Sequence, residues 1–241
     1  MSNVDLDKIK ITLKGLQNLT LLDFPGRLAC TVFVGGCNLR CPFCHNASLV
    51  LPERFGKTLP TGEFFSFLEA RRGKLEGVCV SGGEPTLYRD LPHFIGKIKE
   101  LGFAVKLDTN GTNPDMLSRL ISEGLLDYVA MDIKNSPASY PRTVGIEDFD
   151  LSGVLRSADI LMKGSLPFEF RTTAVKELHT AADFSAIGRW IKGAPRYFIQ
   201  MFKDSGDILE RGMSAPDETA MQAFLEAARE FVPEAALRGV N

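Results

Sequence analysis

The feature that most constrains this chain is a regular alternation of short apolar runs with amphipathic segments along its 241 residues. The apolar runs are rich in β-branched residues and are typical of strands covered on both faces. They are Leu28–Val34, Gly77–Val80, Phe103–Leu107, Tyr128–Met131, Phe168–Val175 and Tyr197–Met201. A chain that repeats this unit about six times is expected to form an α/β fold around a parallel sheet.

The segments between these runs predict helices from their apolar spacing and from the residues at their starts. Thr61 and Asp90 are suitable N-caps for two of them. The predicted helices are Thr61–Arg72, a helix from Asp90 to Leu101, Pro114–Glu123, Asp150–Lys163, Ala181–Lys192 and Pro216–Phe231. Upstream, Leu13–Leu22 predicts a short hairpin that a turn at Asp23–Gly26 follows. No linker or short repeat interrupts the pattern, so a single domain is expected.

Four of the predicted strands end in unusual polar groups. The first is followed by a cysteine-rich loop, and the next three run into Gly82-Gly83-Glu84-Pro85, Asp108-Thr109-Asn110-Gly111 and Asp132-Ile133-Lys134. Each group alone is compatible with an ordinary turn. Because ligands collect at the carboxyl ends of parallel strands, the four groups together predict one binding site.

The cysteine loop, Gly36–Asn46, carries three thiols within eight residues: Cys37, Cys41 and Cys44. Thiolates are the preferred ligands of iron–sulfur clusters and soft metals. A [4Fe–4S] cluster held by three of them has one iron open to a further ligand, and an open metal position indicates chemistry rather than a structural role. The two other cysteines, Cys30 and Cys79, lie in apolar runs and are expected in the core.

Three alternatives use the same loop. Cys41-Pro-Phe-Cys44-His45 matches the pattern of covalent haem attachment, and its first four residues match a thioredoxin-like redox pair. Both leave Cys37 unused. Zinc held by the three cysteines and His45 is a third alternative, although adjacent residues seldom reach the same tetrahedral ion.

Composition and charge further limit the class of protein and its expected partners. The 28 basic and 30 acidic residues nearly cancel, and no basic run stands out, so nucleic acid is not an expected partner. No run approaches the roughly 18 apolar residues of a membrane span, and the first ten residues lack the apolar stretch of a signal peptide. An odd number of cysteines, three of them crowded together, predicts a reducing, cytoplasmic location.

The spacing Cys-x3-Cys-x2-Cys, with the aromatic Phe43 before the last cysteine, resembles the signature loop of the radical S-adenosylmethionine (SAM) enzymes. In that family three thiolates hold a [4Fe–4S] cluster whose open iron chelates the amino and carboxylate groups of SAM. Reductive cleavage of SAM then gives methionine and a 5′-deoxyadenosyl radical. The following His45-Asn46 is similar to the glycyl-radical-enzyme activases, and the resemblance implies Phe43 and His45 beside the cofactor.

The same resemblance assigns roles to the other strand ends. Gly82, Gly83 and Glu84 resemble the motif that holds the SAM amino group. In pyruvate formate-lyase-type activases, segments matching Asp108-Thr109 and Asp132-x-Lys134 line the sites of SAM and of the substrate glycine. The resemblance also suggests a monovalent cation on Asp108, Thr109 and Asp132. Arg171 is expected to contact SAM or to belong to a buried polar network.

Other residues receive weaker assignments. Gln200 stands about where the pyruvate formate-lyase activases carry a histidine, a departure from that branch. His93 and His179 are interpreted as incidental residues of a solvated helix face and a loop. Leu21–Gly26 is especially similar to the activating proteins of anaerobic ribonucleoside-triphosphate reductase. The absence of further cysteine clusters excludes activases with a ferredoxin-like insert.

The resemblance implies a (β/α)6 partial barrel, with residues 1–27 as an N-terminal extension, 28–201 as the barrel core and 202–241 as a C-terminal helical segment. The implied function is generation of a glycyl radical on a partner enzyme, most similar to anaerobic ribonucleotide reductase activation, with a flavodoxin or ferredoxin-type reductant. The alternatives are an activase of a pyruvate formate-lyase-like enzyme, a small-molecule radical SAM enzyme such as a 7-deazapurine synthase, and a thiol–disulfide oxidoreductase.

Overall fold

The computed structural model describes residues 9–44 and 46–239. Its strands form one eight-stranded sheet in which the spatial order follows the chain, from β1 to β8. The strands are β1 (Leu13–Thr20), β2 (Ala29–Val34), β3 (Gly77–Gly82), β4 (Ala104–Thr109), β5 (Tyr128–Asp132), β6 (Phe168–Ala174), β7 (Tyr197–Met201) and β8 (Ala235–Arg238).

The α-helices lie mostly between successive strands, as the alternation predicts. They are α1 (Ala47–Val50), α2 (Thr61–Ala70), α3 (Leu91–Glu100), α4 (Pro114–Ser122), α5 (Tyr140–Val144), α6 (Ser152–Lys163), α7 (Ala181–Trp190) and α8 (Glu218–Arg229). Single 3-10 turns occur at Pro52–Arg54, Pro85–Leu87 and Pro137–Ser139. None of these helices is long and apolar enough to cross a membrane, within the part of the chain that the structure describes.

The contacts divide the chain into two compact units. The first comprises residues 1–38, 48–109 and 115–129, and the second comprises residues 39–47, 110–114 and 130–241. In the first unit β1 runs antiparallel to β2, and β2, β3 and β4 are parallel neighbours. Phe24, in the turn after β1, is buried against Ala29, Ala104 and Tyr128, so this turn is fixed to the sheet.

In the second unit β6, β7 and β8 are parallel neighbours. Helices α7 and α8 pack against each other, with the rings of Phe184 and Phe224 stacked at a centroid distance of 4.5 Å. A Cβ on Gly188 would lie 3.2 Å from the carbonyl oxygen of Ala228, so the absence of a side chain at that position permits the close approach. The second unit therefore has its own layered core.

The structure confirms the α/β class and each of the six predicted strands, with ends that differ by one or two residues. The upstream hairpin is wrong, because Leu13–Thr20 is one continuous strand paired with β2. Thr61 is not an N-cap, since helix α2 begins on it after Pro60. Asp90 precedes α3 but makes no cap bond there, because its carboxylate accepts the backbone N–H of Lys10 at 2.8 Å. Helix α5 and strand β8 were not predicted.

Candidate functional site

The cysteine loop leaves β2, and its described residues form no helix or strand before α1 begins at Ala47. Its apolar residues Leu39 and Phe43 are buried, as is Cys41, whereas Cys37 and Cys44 are partly exposed. Phe43, predicted to lie beside the cofactor, therefore packs into the protein and anchors the loop. His45, predicted for the same place, lies outside the described residues.

Backbone hydrogen bonds hold the loop within the second unit. The N–H of Arg40 donates to the carbonyl of Val144, at the end of α5, at 2.9 Å. The carbonyl of Pro42 accepts the N–H of Glu210 at 3.0 Å, and the N–H of Ala47 donates to the carbonyl of Asp207 at 3.1 Å. Two elements that were not recognised in the sequence, α5 and the segment after β7, therefore fix the loop.

The chemistry of the three thiols suits an iron–sulfur cluster. None of the three forms a disulfide. Burial raises the pKa of the Cys44 thiol, and the backbone of Asn46 and the cationic side chains of Lys134 and Arg40 partly oppose that shift. Among the described residues no three His, Cys, Asp or Glu side chains converge as they would on a single metal ion. A cluster binds each thiolate through a different iron and does not need such convergence.

Gly82 and Gly83 follow β3 and lie against the backbone that leads into the cysteine loop. The N–H of Gly83 donates to the carbonyl of Val34 at 2.9 Å, and the N–H of Glu84 donates to that of Gly36 at 2.8 Å. A Cβ on Gly83 would lie only 1.9 Å from the carbonyl oxygen of Gly36. The resemblance assigns these glycines to the SAM amino group, and in the structure they let two backbone segments approach each other.

Glu84 is fully buried and lies at the centre of a hydrogen-bond network in the first unit. Its Oε1 accepts the backbone N–H of Thr86 at 3.0 Å and the Thr86 hydroxyl at 2.5 Å. The same oxygen accepts the hydroxyl of Thr109 at 2.8 Å. Two of the predicted strand-end groups, Gly-Gly-Glu and Asp-Thr-Asn-Gly, are thus joined directly through one carboxylate.

Asp108 lies next to Thr109 and is held by two donors. The hydroxyl of Ser81 donates to its Oδ2 at 3.0 Å, and the ammonium of Lys106 contacts its Oδ1. Lys106 is in the middle of β4 and is almost completely buried, with its Nζ 3.8 Å from the sulfur of Cys79. Cys79 and Cys30 are both fully buried, as predicted. Sequence reasoning missed Lys106, although a charge inside an apolar strand was the signal available.

Asp132, Lys134 and Arg171 form a second charged network in the second unit. The Nε of Arg171 donates to Asp132 Oδ1 at 2.9 Å, and the Lys134 ammonium donates to Oδ2 at 3.0 Å. Burial alone would raise the pKa of Asp132, but these two cations outweigh it and hold that pKa well below its usual range. Arg171 therefore belongs to a polar network, which was one of its two predicted roles.

The interpretation of His179 as an incidental loop residue is wrong. The side chain is buried, its Nε2 lies 2.9 Å from the carbonyl oxygen of Lys134, and its Nδ1 accepts the N–H of Val175 at 3.1 Å. These contacts require a proton on Nε2, and burial lowers the pKa of the ring, which favours this neutral form. His93, in contrast, is exposed on α3 as predicted.

Tyr140 supports the same segment. Its hydroxyl accepts the N–H of Lys134 at 3.3 Å, so both backbone groups of Lys134 have a side-chain partner. Burial raises the pKa of this hydroxyl well above its ordinary value. The position of Lys134 is therefore fixed from two sides. Gln200 lies in β7 and is partly exposed.

Known proteins resemble this chain over much of its length. The profile of the Radical SAM superfamily matches residues 31–176, more than half of the chain. A Methanocaldococcus jannaschii protein, whose name gives a provisional assignment as a glycyl-radical enzyme activating enzyme, is 32% identical over 239 residues, covering 97% of this chain and 98% of its own. The pyruvate formate-lyase-activating enzyme of Streptococcus mutans is 34% identical over 233 residues, covering 90% and 86%.

Among solved structures, Streptococcus suis SuiB bound to S-adenosylmethionine superposes with a TM-score of 0.66 over 86% of this chain and 49% of SuiB, at 15% identity. At that identity the likeness shows the fold alone. Together with the profile match it identifies the chain as a member of the radical SAM superfamily. Within that superfamily the full-length relatives assign it to the glycyl-radical-enzyme activating family, so the chain is an enzyme.

Membership implies a [4Fe–4S] cluster and SAM as cofactors. The donor chemistry fits the cluster, since three free thiols follow β2 in a loop that the protein holds in place. Cationic groups that match a carboxylate are present at Lys134 and Arg171, and the buried carboxylate of Glu84 matches an ammonium. Membership also implies a glycyl radical enzyme as the protein partner.

Proposed function

We propose that this enzyme generates a glycyl radical on anaerobic ribonucleoside-triphosphate reductase by reductive cleavage of SAM. The observation that carries the proposal is the loop of three cysteines, none of them in a disulfide, after β2 in a chain of the activating family. When bound, the cluster and SAM supply the radical chemistry. The contribution of the chain is to bind both cofactors, to orient SAM and to keep water away from the reacting atoms.

We assign the cluster ligands to Cys37, Cys41 and Cys44. Phe43 and His45 lie beside them in sequence, and Phe43 supports the loop through its burial. Burial raises the pKa of the Cys44 thiol, and the cationic side chains of Lys134 and Arg40 offset part of that shift towards the thiolate, the form that binds iron.

For SAM we assign the amino group to the segment Gly82, Gly83 and Glu84. We assign Asp108, Thr109, Asp132 and Lys134 to the sites of SAM and of the substrate glycine, as the resemblance implies. Lys134 suits a carboxylate, and Arg171 is assigned to the SAM ribose or carboxylate. The hydrogen bonds of these side chains support the assignment, because their orientation is set before a ligand binds.

The choice of partner depends on the segment Leu21–Gly26. Its turn is built firmly, since Thr20 Oγ1 accepts the N–H groups of Leu22 and Asp23, and Asp23 accepts the hydroxyl of Thr31 at 2.5 Å. Leu21 and Leu22 are nevertheless 72% and 87% exposed. A rigid turn that presents two leucines to solvent is suited to contact with another protein.

The first experiment tests the chemistry. The protein is reconstituted with iron and sulfide under strict anaerobiosis, then given dithionite and SAM, and 5′-deoxyadenosine is assayed. Alanine at any of the three loop cysteines should abolish its formation, whereas Cys30→Ala, in the core of β2, should retain it. Iron uptake without SAM cleavage in the unmodified protein would refute the proposed activity.

The second experiment tests the partner. Inactive anaerobic ribonucleotide reductase and inactive pyruvate formate-lyase are each incubated with the reduced enzyme and SAM, and a stable organic radical is sought by EPR. We expect it on the reductase, with additional splitting when the reductase contains ¹³C-glycine. A radical on the lyase alone would transfer the function to that partner. The physiological reductant is proposed to be a flavodoxin or ferredoxin in the cytoplasm, and each can replace dithionite in the same assay.

A further inference from the structure

We infer that the ammonium of Lys106 is the fixed cation of this SAM site, and that the enzyme needs no monovalent metal ion on Asp108. The inference deepens the proposed function, because it concerns the charge balance of the site assigned to SAM. It replaces the expectation that Asp108, Thr109 and Asp132 hold such an ion.

The first argument is the position of Lys106. Its side chain is 1% exposed and its ammonium contacts Asp108 Oδ1, while the carboxylate of Asp108 is 15% exposed. The second oxygen of Asp108 accepts the hydroxyl of Ser81 at 3.0 Å. Both oxygens thus already have donors, and a unit positive charge already lies against the carboxylate.

The second argument concerns the other two predicted cation ligands. The hydroxyl of Thr109 is directed at Oε1 of Glu84, at 2.8 Å. In its own unit, Asp132 is paired with Arg171 at 2.9 Å and with Lys134 at 3.0 Å. The carboxylate oxygens of Asp108 and Asp132 are therefore matched with protein donors, the Thr109 hydroxyl is oriented by its bond to Glu84, and each of the two carboxylates has a protein cation of its own.

The third argument is electrostatic. An ion bound to Asp108 would be a second positive charge beside an ammonium that is held away from water, where repulsion is poorly screened. Displacing Lys106 to admit the ion would take its buried ammonium away from the carboxylate that neutralises it, which is strongly unfavourable. The residues present in this chain therefore do not fit the ion. The ammonium of Lys106 supplies the positive charge beside Asp108 instead.

The test compares salts. SAM binding and 5′-deoxyadenosine formation by the intact, cluster-loaded enzyme are measured in potassium chloride, sodium chloride and choline chloride at equal ionic strength. The unmodified enzyme should change by less than about twofold, because Asp108 already has a positive charge beside it in Lys106. In choline, Lys106→Met should lose SAM affinity by about tenfold or more, since a charged hydrogen bond is lost, and potassium or sodium should restore part of it.

A control and a second readout keep the two proposals separable. Lys99→Met removes a lysine that pairs with Asp127 at 2.7 Å on the surface of the same unit, and it should show no salt specificity. Thermal unfolding is recorded in the same three salts and needs no SAM chemistry. Potassium should raise the unfolding temperature of Lys106→Met above its value in choline, and should not do so for the unmodified chain.

The outcomes are distinct. An unmodified enzyme that is inactive or unstable in choline and recovers in potassium would overturn the inference about Lys106. An enzyme that never cleaves SAM in any salt would refute the proposed function, while the unfolding data would still decide the role of Lys106. If Lys106→Met does not fold, the salt response of the unmodified chain remains decisive.

Discussion

Replacing His179 by phenylalanine tests whether this buried ring positions Lys134. Phenylalanine preserves an aromatic ring next to Phe184, whose centroid lies 5.7 Å from that of His179. It removes both hydrogen bonds of the imidazole, the one to the carbonyl of Lys134 at 2.9 Å and the one from the N–H of Val175 at 3.1 Å. The backbone carbonyl of Lys134 then loses its side-chain partner.

The magnitude follows from the two backbone groups that lose a partner. A buried donor or acceptor that loses its partner costs about 1–3 kcal/mol, so the total is at least about 2 kcal/mol. For a chain of this size, 2 kcal/mol corresponds to a decrease of about 4–8 °C in the unfolding temperature. In addition, SAM affinity should fall, because the Lys134 ammonium is then less well oriented towards Asp132.

The assay is thermal unfolding together with SAM binding. His93→Phe is the matched control, since His93 is exposed on α3 and its replacement should change the unfolding free energy by no more than about 0.5 kcal/mol. His179→Gln, which retains an amide donor, should recover part of the SAM affinity. The reasoning is refuted if His179→Phe unfolds at the same temperature as the unmodified protein and binds SAM equally well.

Three further predictions follow from the site. Gly83→Ala should prevent a stable fold or abolish SAM binding, because its Cβ would collide with the carbonyl of Gly36 at 1.9 Å; soluble expression and SAM titration test this. Asp132→Asn should lower the free energy of unfolding by about 1–3 kcal/mol, as measured by denaturant unfolding. This range is smaller than for a fully buried ion pair because the carboxylate is partly exposed. Asp159→Asn, which breaks an exposed ion pair, should cost less than about 1 kcal/mol, and an equal cost for both would contradict the argument. The neutral ring of His179 should stabilise the fold above pH 6.5, its ordinary pKa, and lose that contribution as pH falls further, since only the unfolded chain then gains the proton. The stability difference from His179→Phe should therefore shrink between pH 7.5 and 5.5, and a constant difference would refute this.

Much of the fold was predictable because its signals are local. A strand buried on both faces must be apolar along its length, and a polar turn must follow it. Val129 therefore indicates a buried strand, and Asp132 indicates where that strand ends. A cluster-binding role for the three cysteines was equally predictable, since thiol chemistry depends on residue type and spacing. These features need no knowledge of distant contacts.

The features that sequence reasoning missed depend on partners remote in the chain. His179 contacts the carbonyl of Lys134, but no rule of sequence spacing predicts a contact between these two positions. A single histidine in a sequence also does not by itself indicate a function. Strand β8, Ala235–Arg238, is short and weakly apolar, and its identity as a strand comes from pairing with β7. Lys106 is the exception, because its partner Asp108 is only two positions later on the same strand and a lysine inside an apolar run was a local signal.

The backbone bonds between the cysteine loop and the segment after β7 bear on the order of events during biosynthesis. Pro42 and Ala47 are made well before Glu210 and Asp207, which hold them. Contacts between such distant parts of a chain form late in folding. The loop therefore reaches its final geometry only after the segment that follows β7 has been made and has folded back, and cluster insertion into that geometry has to follow the same step.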